Sequence, residues 1–143
     1  MTNTAVDIKI CLGTSGNAAG GEEVLRLFQH HIGEQGVEAR IGKRCAATKV
    51  GCRGFCSKDV LVDVMTEGAR TTYQSVTPNM VERIVTEHII GGTPIDEWTV
   101  RDEYDAFHAG QRKVVLGLCG EIDPENIDDY IAVRGYRAAE KAM

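Results

Sequence analysis

The chain has no run of lysine or arginine, and its formal net charge is −5. Nucleic acid binding usually needs a basic surface, so the composition argues against that partner. No apolar run approaches the ~20 residues that cross a bilayer, which argues against membrane insertion. The start, MTNTAVD, is polar and unlike a secretory signal. These absences point to a cytoplasmic protein. There is no internal repeat and no low-complexity tract. A dinucleotide fingerprint is also missing, because the glycines of GTSGNAAG (13, 16 and 20) do not fall at the required spacing.

The sequence does hold five cysteines and 43% hydrophobic residues in 143 positions. That is enough apolar content for one ordinary core. An odd cysteine count in a cytosolic setting argues against a disulfide framework. It leaves metal ligands, reactive thiols, or cysteines that serve as small buried apolar residues.

Val6, Ile8 and Ile10 alternate with polar residues and predict a half-buried strand ending at Cys11. After the glycine-containing loop CLGTSGNAAGG, the residues Val24, Leu25, Leu27, Phe28, His31 and Ile32 recur at helical spacing. Val37, Ala39 and Ile41 alternate again and predict a second strand. Val60 to Ser75 reads as a hairpin turning at Glu67-Gly68. Thr77-Pro78 starts a second helix, whose stripe of Val81, Ile84, Val85, His88 and Ile89 stops at Gly91-Gly92. This order predicts a small α/β or α+β domain over residues 1–92, with two main helices on a four-stranded sheet. Residues 93–112 read as a polar linker or arm containing Trp98, Tyr104 and His108. Residues 113–143 contain a predicted short strand, Val114 to Leu118, and a helix opened by Asp123-Pro124. They hold too few apolar residues for a core and read as the beginning of a second, incomplete domain.

The strongest chemical feature is CRGFC, Cys52 to Cys56. Two thiols separated by three residues in a glycine-containing turn can face one metal centre. Gly54 lets the backbone approach, so that amide N–H groups can donate to sulfur. A thioredoxin-type redox pair has two intervening residues and opens a helix, whereas this pair has three and precedes a strand. Cys11 is either a third ligand or a buried strand-end thiol. His30 and His31 lie near the far end of the first helix, about 15 Å or more from Cys11, and read as core or surface residues. His88 reads as packing.

The element order, CLGTSG after the first strand and VGCRGFC before a hairpin together resemble the thioredoxin-like two-iron, two-sulfur ferredoxins, relatives of the 24-kDa-type subunit of respiratory complex I. That family's motif is a cysteine, four residues, a second cysteine, about thirty-five residues, then a pair with three residues between. Here Cys11, Gly16, Cys52 and Cys56 occupy that frame, with glycine in the second ligand position. The segment QRKVVLGLCGEIDPENIDDYIAVRGYRAAEKAM resembles the opening of the 51-kDa-type, NADH-oxidising flavoprotein subunit. In some such subunits a ferredoxin domain of this kind is fused to the N-terminus. Cys119 lies in this segment and reads as a buried thiol.

The resemblance implies a thioredoxin-like fold with a C-terminal extension. It also implies a 2Fe-2S cluster on Cys11, Cys52 and Cys56, with Gly54 at the cluster through its backbone. FMN and NADH sites are expected only downstream of Met143. The fourth ligand stays open between Cys45, water, and a polar residue such as Ser15 or Asn17. Two other outcomes are open as well: zinc held by the remaining thiols, or a degenerate, cluster-free docking domain. The implied role is single-electron relay between a flavoprotein and other subunits of an NAD(P)H-linked redox complex, with a homodimer possible. The domain breaks no substrate bond itself, and the parent subunit would be an NAD(P)H-dependent oxidoreductase.

Overall fold

The computed structural model describes residues 5–143; the first four residues of the polar start, Met1 to Thr4, lie outside them. The sheet has four strands, β1 (Ala5–Cys11), β2 (Arg44–Val50), β3 (Val62–Thr66) and β4 (Ala69–Tyr73), in the order β2-β1-β3-β4. β1 pairs parallel with β2, from Ala5 beside Arg44 to Cys11 beside Val50, and antiparallel with β3, from Asp7 opposite Met65 to Ile10 opposite Val62. β3 and β4 form the hairpin expected from the sequence, turning at Glu67-Gly68, where Gly68 takes a φ of 75°.

A parallel pair cannot be closed by a hairpin and needs a crossover, which here contains α1 (Thr14–Ala18), α2 (Gly21–Glu34) and α3 (Val37–Ile41). The second main helix runs as α4 (Pro78–Arg83) and widens into a π-helical segment, Ile84–Ile90. Its start is capped as the Thr-Pro pair predicts. The predicted stripe of Val81, Ile84, Val85, His88 and Ile89 is buried throughout.

Strand alternation divides the sheet into two unlike faces. Val6, Ile8, Ile10, Val62, Val64 and Tyr73 share the apolar core with Val24 and Phe28 of α2 and with the α4 stripe. The registered neighbours Lys9, Asp63 and Thr72 lie on the opposite face, which is polar. Glu121 of the C-terminal segment spans this second face, bonding Lys9 at 3.1 Å and Arg70 at 2.9 and 3.0 Å.

Two predicted strands differ from the structure. Val37 to Ile41 is helix α3, in which only Val37 is buried. Gly36 and Gly42, with φ of 56° and 65°, bend the chain at both ends of it. Three alternating apolar residues over five positions are too few to separate the two periods. The true strand begins at Arg44 and buries small residues, Cys45 and Ala47, which give a weak hydrophobic signal. Val114 to Leu118 forms turns rather than a strand, with Val114 and Val115 79% and 91% exposed. Among the described residues no strand pairs with it. The arm docks instead of dangling. Tyr73 bridges Thr99, Gln74 donates to the Trp98 carbonyl at 3.0 Å, and helix α5 (Asp102–Ala109) follows.

Inside the core, the Ile95 amide donates to the Tyr73 hydroxyl at 3.2 Å. The same hydroxyl lies 2.8 Å from Nδ1 of His88, to which it can donate when the imidazole carries its proton on Nε2. Burial pushes the His88 pKa down. A neutral buried histidine stabilises the fold fully above its unfolded pKa of about 6.5, and that stabilisation is lost as pH falls below it. Thermal unfolding followed from pH 7.5 to 5 should show a falling midpoint. His88→Gln should remove up to about 1.4 kcal/mol per pH unit of that slope.

Candidate metal centre

At the C-terminal end of β1 two loops meet. The first follows Cys11, and the second is CRGFC, after β2. Their approach is so close that a Cβ built on Gly13 would lie 2.6 Å from Cys52 Cβ, inside van der Waals contact. Only glycine permits this packing. The Ser15 hydroxyl bonds the Cys56 carbonyl at 3.4 Å, and Leu12 donates to the Val50 carbonyl at 3.0 Å.

The Cys52 and Cys56 sulfurs are 3.4 Å apart, far beyond disulfide bonding. Two thiolates on one tetrahedral metal, with bonds of about 2.3 Å, sit about 3.8 Å apart, so the pair is close to the separation that one metal requires. Gly54 takes a φ of 89°, which favours glycine, and its N–H reaches the Cys52 sulfur at 3.3 Å. Cys56 opens a 3₁₀ turn, Cys56–Lys58, and is exposed. Its hydrogen bond with Cys52, ahead of burial, holds its thiol up at about 11. Cys11 is buried, with its sulfur 3.9 Å from the Gly51 carbonyl, and burial raises its pKa too. All three thiols lie at this one end of the sheet.

Other sequence candidates lie elsewhere. Cys45 sits beside Val6, at the opposite end of the β1–β2 ladder from Cys11 and Val50. Five residues at about 3.3 Å each separate the two ends by about 16 Å. Cys45 also faces the apolar core, where burial lifts its pKa to about 11. Its thiol packs as a small hydrophobe. His30 pairs with Glu34 at 3.2 Å on the surface of α2. Gly16, in the second ligand position of the sequence frame, is buried in α1, and a Cβ added there would fall on the Cys11 carbonyl oxygen. The backbone is too tight for a side chain at this position.

The residues that sequence reasoning missed are those that hold the loop. Arg53, between the two cysteines, is 5% exposed and forms a two-pronged ion pair with the fully buried Asp63, at 2.9 and 2.6 Å. Burial opposes the arginine's charge, but the bonds to Asp63 more than offset it and the Arg53 pKa is raised. Thr72 donates to Asp63 at 2.6 Å, and Arg53 also donates to the Tyr104 hydroxyl at 3.1 Å. Phe55 stands edge-on to Tyr104, with ring centres 5.1 Å apart, and packs on Phe107 and His108. Lys113 donates to the Arg53 carbonyl at 3.1 Å. One signal was available: Asp63 is an isolated charge within VLVDVM, an otherwise apolar strand.

Among the described residues, no three histidine, cysteine or acidic side chains converge as they would on one metal ion. A two-iron cluster makes a different demand, since its ligands are shared between two metals. One close thiol pair, a backbone donor to its sulfur and a third thiol nearby fit that group better than a single zinc.

A parallel β1–β2 unit, an antiparallel hairpin and two main helices, with cysteines at the end of the first strand and in the loop after the second, make this a thioredoxin-like fold of the α/β class. No family model matches the chain. It is 28% identical over 128 residues to a Priestia megaterium protein described as "Putative 2Fe-2S ferredoxin", covering 90% of this chain and 85% of that one. Among solved structures it is similar to a thioredoxin-like [2Fe-2S] ferredoxin from Aquifex aeolicus, with a TM-score of 0.58 and 22% identity over 68% of this chain and 92% of that one. A second structure, of the wild-type Aquifex ferredoxin, gives 0.58 and 20% over 69% and 99%.

Two variants check this geometry. Asp63→Ala leaves Arg53 buried without its partner and should cost about 3–5 kcal/mol in urea unfolding, with part recovered in the double variant Arg53→Met/Asp63→Leu. Gly16→Ala forces the end of β1 to shift and should cost about 1–3 kcal/mol in the same assay.

Proposed function

We propose that this chain is an electron carrier that holds a 2Fe-2S cluster on Cys11, Cys52 and Cys56 and serves beside an NADH-oxidising flavoprotein. The observation that carries the reading is the Cys52–Cys56 pair, 3.4 Å apart in a loop pinned by a buried ion pair. The cluster would supply one-electron redox chemistry. The chain's part is to hold the metals and to direct the Gly54 amide at a ligand sulfur. It also keeps Cys11 out of water. Each of these acts on the reduction potential. The names of the relatives support the cofactor. The flavoprotein association rests on the resemblance of residues 111–143 to the start of a 51-kDa-type subunit. It is supported by the apolar surface this segment leaves open, with Leu116, Ile127, Ile131 and Tyr136 all more than half exposed. No helix among the described residues is long and apolar enough to cross a membrane. We place the carrier in the cytoplasm.

A second reading, a docking module without a cluster, is favoured by the glycine at position 16, which cannot bind iron. Anaerobic reconstitution separates the two. The electron-carrier reading expects about two irons and two sulfides per chain and a visible absorption spectrum. Cys52→Ser and Cys56→Ser should each abolish or strongly distort that spectrum. A chain that stays colourless and iron-free favours the docking module, and colour that survives both substitutions removes the loop as the metal site.

A further inference from the structure

Asp59 lies three residues beyond Cys56, and its amide bonds the Cys56 carbonyl at 3.2 Å. Both of its carboxylate oxygens are buried, and neither has a hydrogen-bond partner. Buried polar groups are almost always paired, and a buried charge without a partner is strongly unfavourable. The other acidic residue of this region, Asp63, is fully engaged with Arg53, Thr72 and, at 3.8 Å, Arg70. Lys58, next in sequence, turns to Glu103 instead. Asp59 is therefore a buried carboxyl group without a partner in its own chain.

Its position is equally specific. The Asp59 Cγ lies 4.0 Å from the point where a Cβ of residue 16 would stand. That is the place in the sequence frame where a ligand is missing. No side chain can start from residue 16, because the Cys11 carbonyl occupies the space, so a fourth protein ligand would have to come from another part of the chain. Asp59 also sits near enough to Cys11 and Cys56 for its charge to act on both thiols. A carboxylate is an established oxygen ligand for transition metals.

We propose that the Asp59 carboxylate is the fourth ligand, completing the set of Cys11, Cys52 and Cys56 in place of a cysteine at position 16. This rests on the cluster-binding reading above. The Cys52–Cys56 pair serves one iron, and Cys11 and Asp59 serve the other. Binding would be ligand exchange without redox change: each ligand thiol would give its proton to solvent as it binds, and the Asp59 carboxylate would take the place of water on iron. Asp59 was not among the substitutes expected from the sequence, where Cys45, water, Ser15 and Asn17 stood.

The test is anaerobic loading of the full chain with iron and sulfide, comparing wild type, Asp59→Ala and Asp59→Cys. The readouts are iron and sulfide content, visible absorption and the electron paramagnetic resonance of the reduced form. The expected result is a several-fold loss of occupancy, or of lifetime in air, for Asp59→Ala. Asp59→Cys should load with a changed spectrum, because thiolate replaces oxygen on one iron. In the metal-free state Asp59→Ala should be at least as stable as wild type in urea, since it removes a buried polar group that has no partner. Normal loading of Asp59→Ala with an unchanged spectrum would overturn the assignment. So would an Asp59→Cys spectrum identical to wild type, or a metal-free Asp59→Ala chain less stable than its parent. Failure of the wild type itself to load would overturn the cluster-binding reading, and this assignment with it.

Discussion

Arg53 and Asp63 form an ion pair almost without access to water, and the cysteine end of the sheet is arranged around keeping it closed. Asp63 comes from the start of β3, on the face opposite the apolar core. Arg53 comes from the turn between the two exposed-loop cysteines. Removing either partner strands a charge in the interior, so the pair ties the loop to the sheet far more firmly than the loop's own contacts could. Thr72 donates a further bond to Asp63, and the Tyr104 hydroxyl accepts one from Arg53. The cysteine loop is thus positioned by an arginine that itself has no part in holding metal.

That rigidity matters because Cys11 and Cys56 do not favour the charged state on their own. Cys11 is held protonated by burial, and Cys56 by its bond to Cys52. Each thiolate formed here would stand near other sulfurs and near the unpaired carboxylate of Asp59. Negative charge at the site becomes favourable only when positive charge arrives with it. In the proposed electron carrier, metal binding and proton release would be one event.

Much of the fold was legible in the sequence. The period-2 pattern of Val6, Ile8 and Ile10, the Glu67-Gly68 turn and the Thr77-Pro78 cap each carry a local physical signal strong enough to survive tertiary packing. The second strand was misplaced because its true inward residues, Cys45 and Ala47, are small, while Val37 to Ile41 mimics alternation over too short a span. Of the site, the cysteine spacing could be read directly. Neither Arg53 nor Asp59 could, because their roles depend on neighbours distant in sequence or on a missing partner, and no periodicity encodes either. The glycine at position 16 was visible, but the reason it must be glycine, the carbonyl of Cys11, appears only in three dimensions.

The aromatic cluster of Phe55, Tyr104, Phe107 and His108 links the cysteine loop to a helix some fifty residues later. The sheet and its two main helices are complete by Gly92, and the apolar core closes with Ile95 and the ring of Trp98 just beyond. The unit that shapes the cysteine loop extends through α5 to Lys113. A shortened chain retaining every strand would still lose the tyrosine that caps Arg53 and the rings that cover Phe55. The stretch from Asp102 to Lys113 thus bears on the cysteine loop while adding no residue to the apolar core.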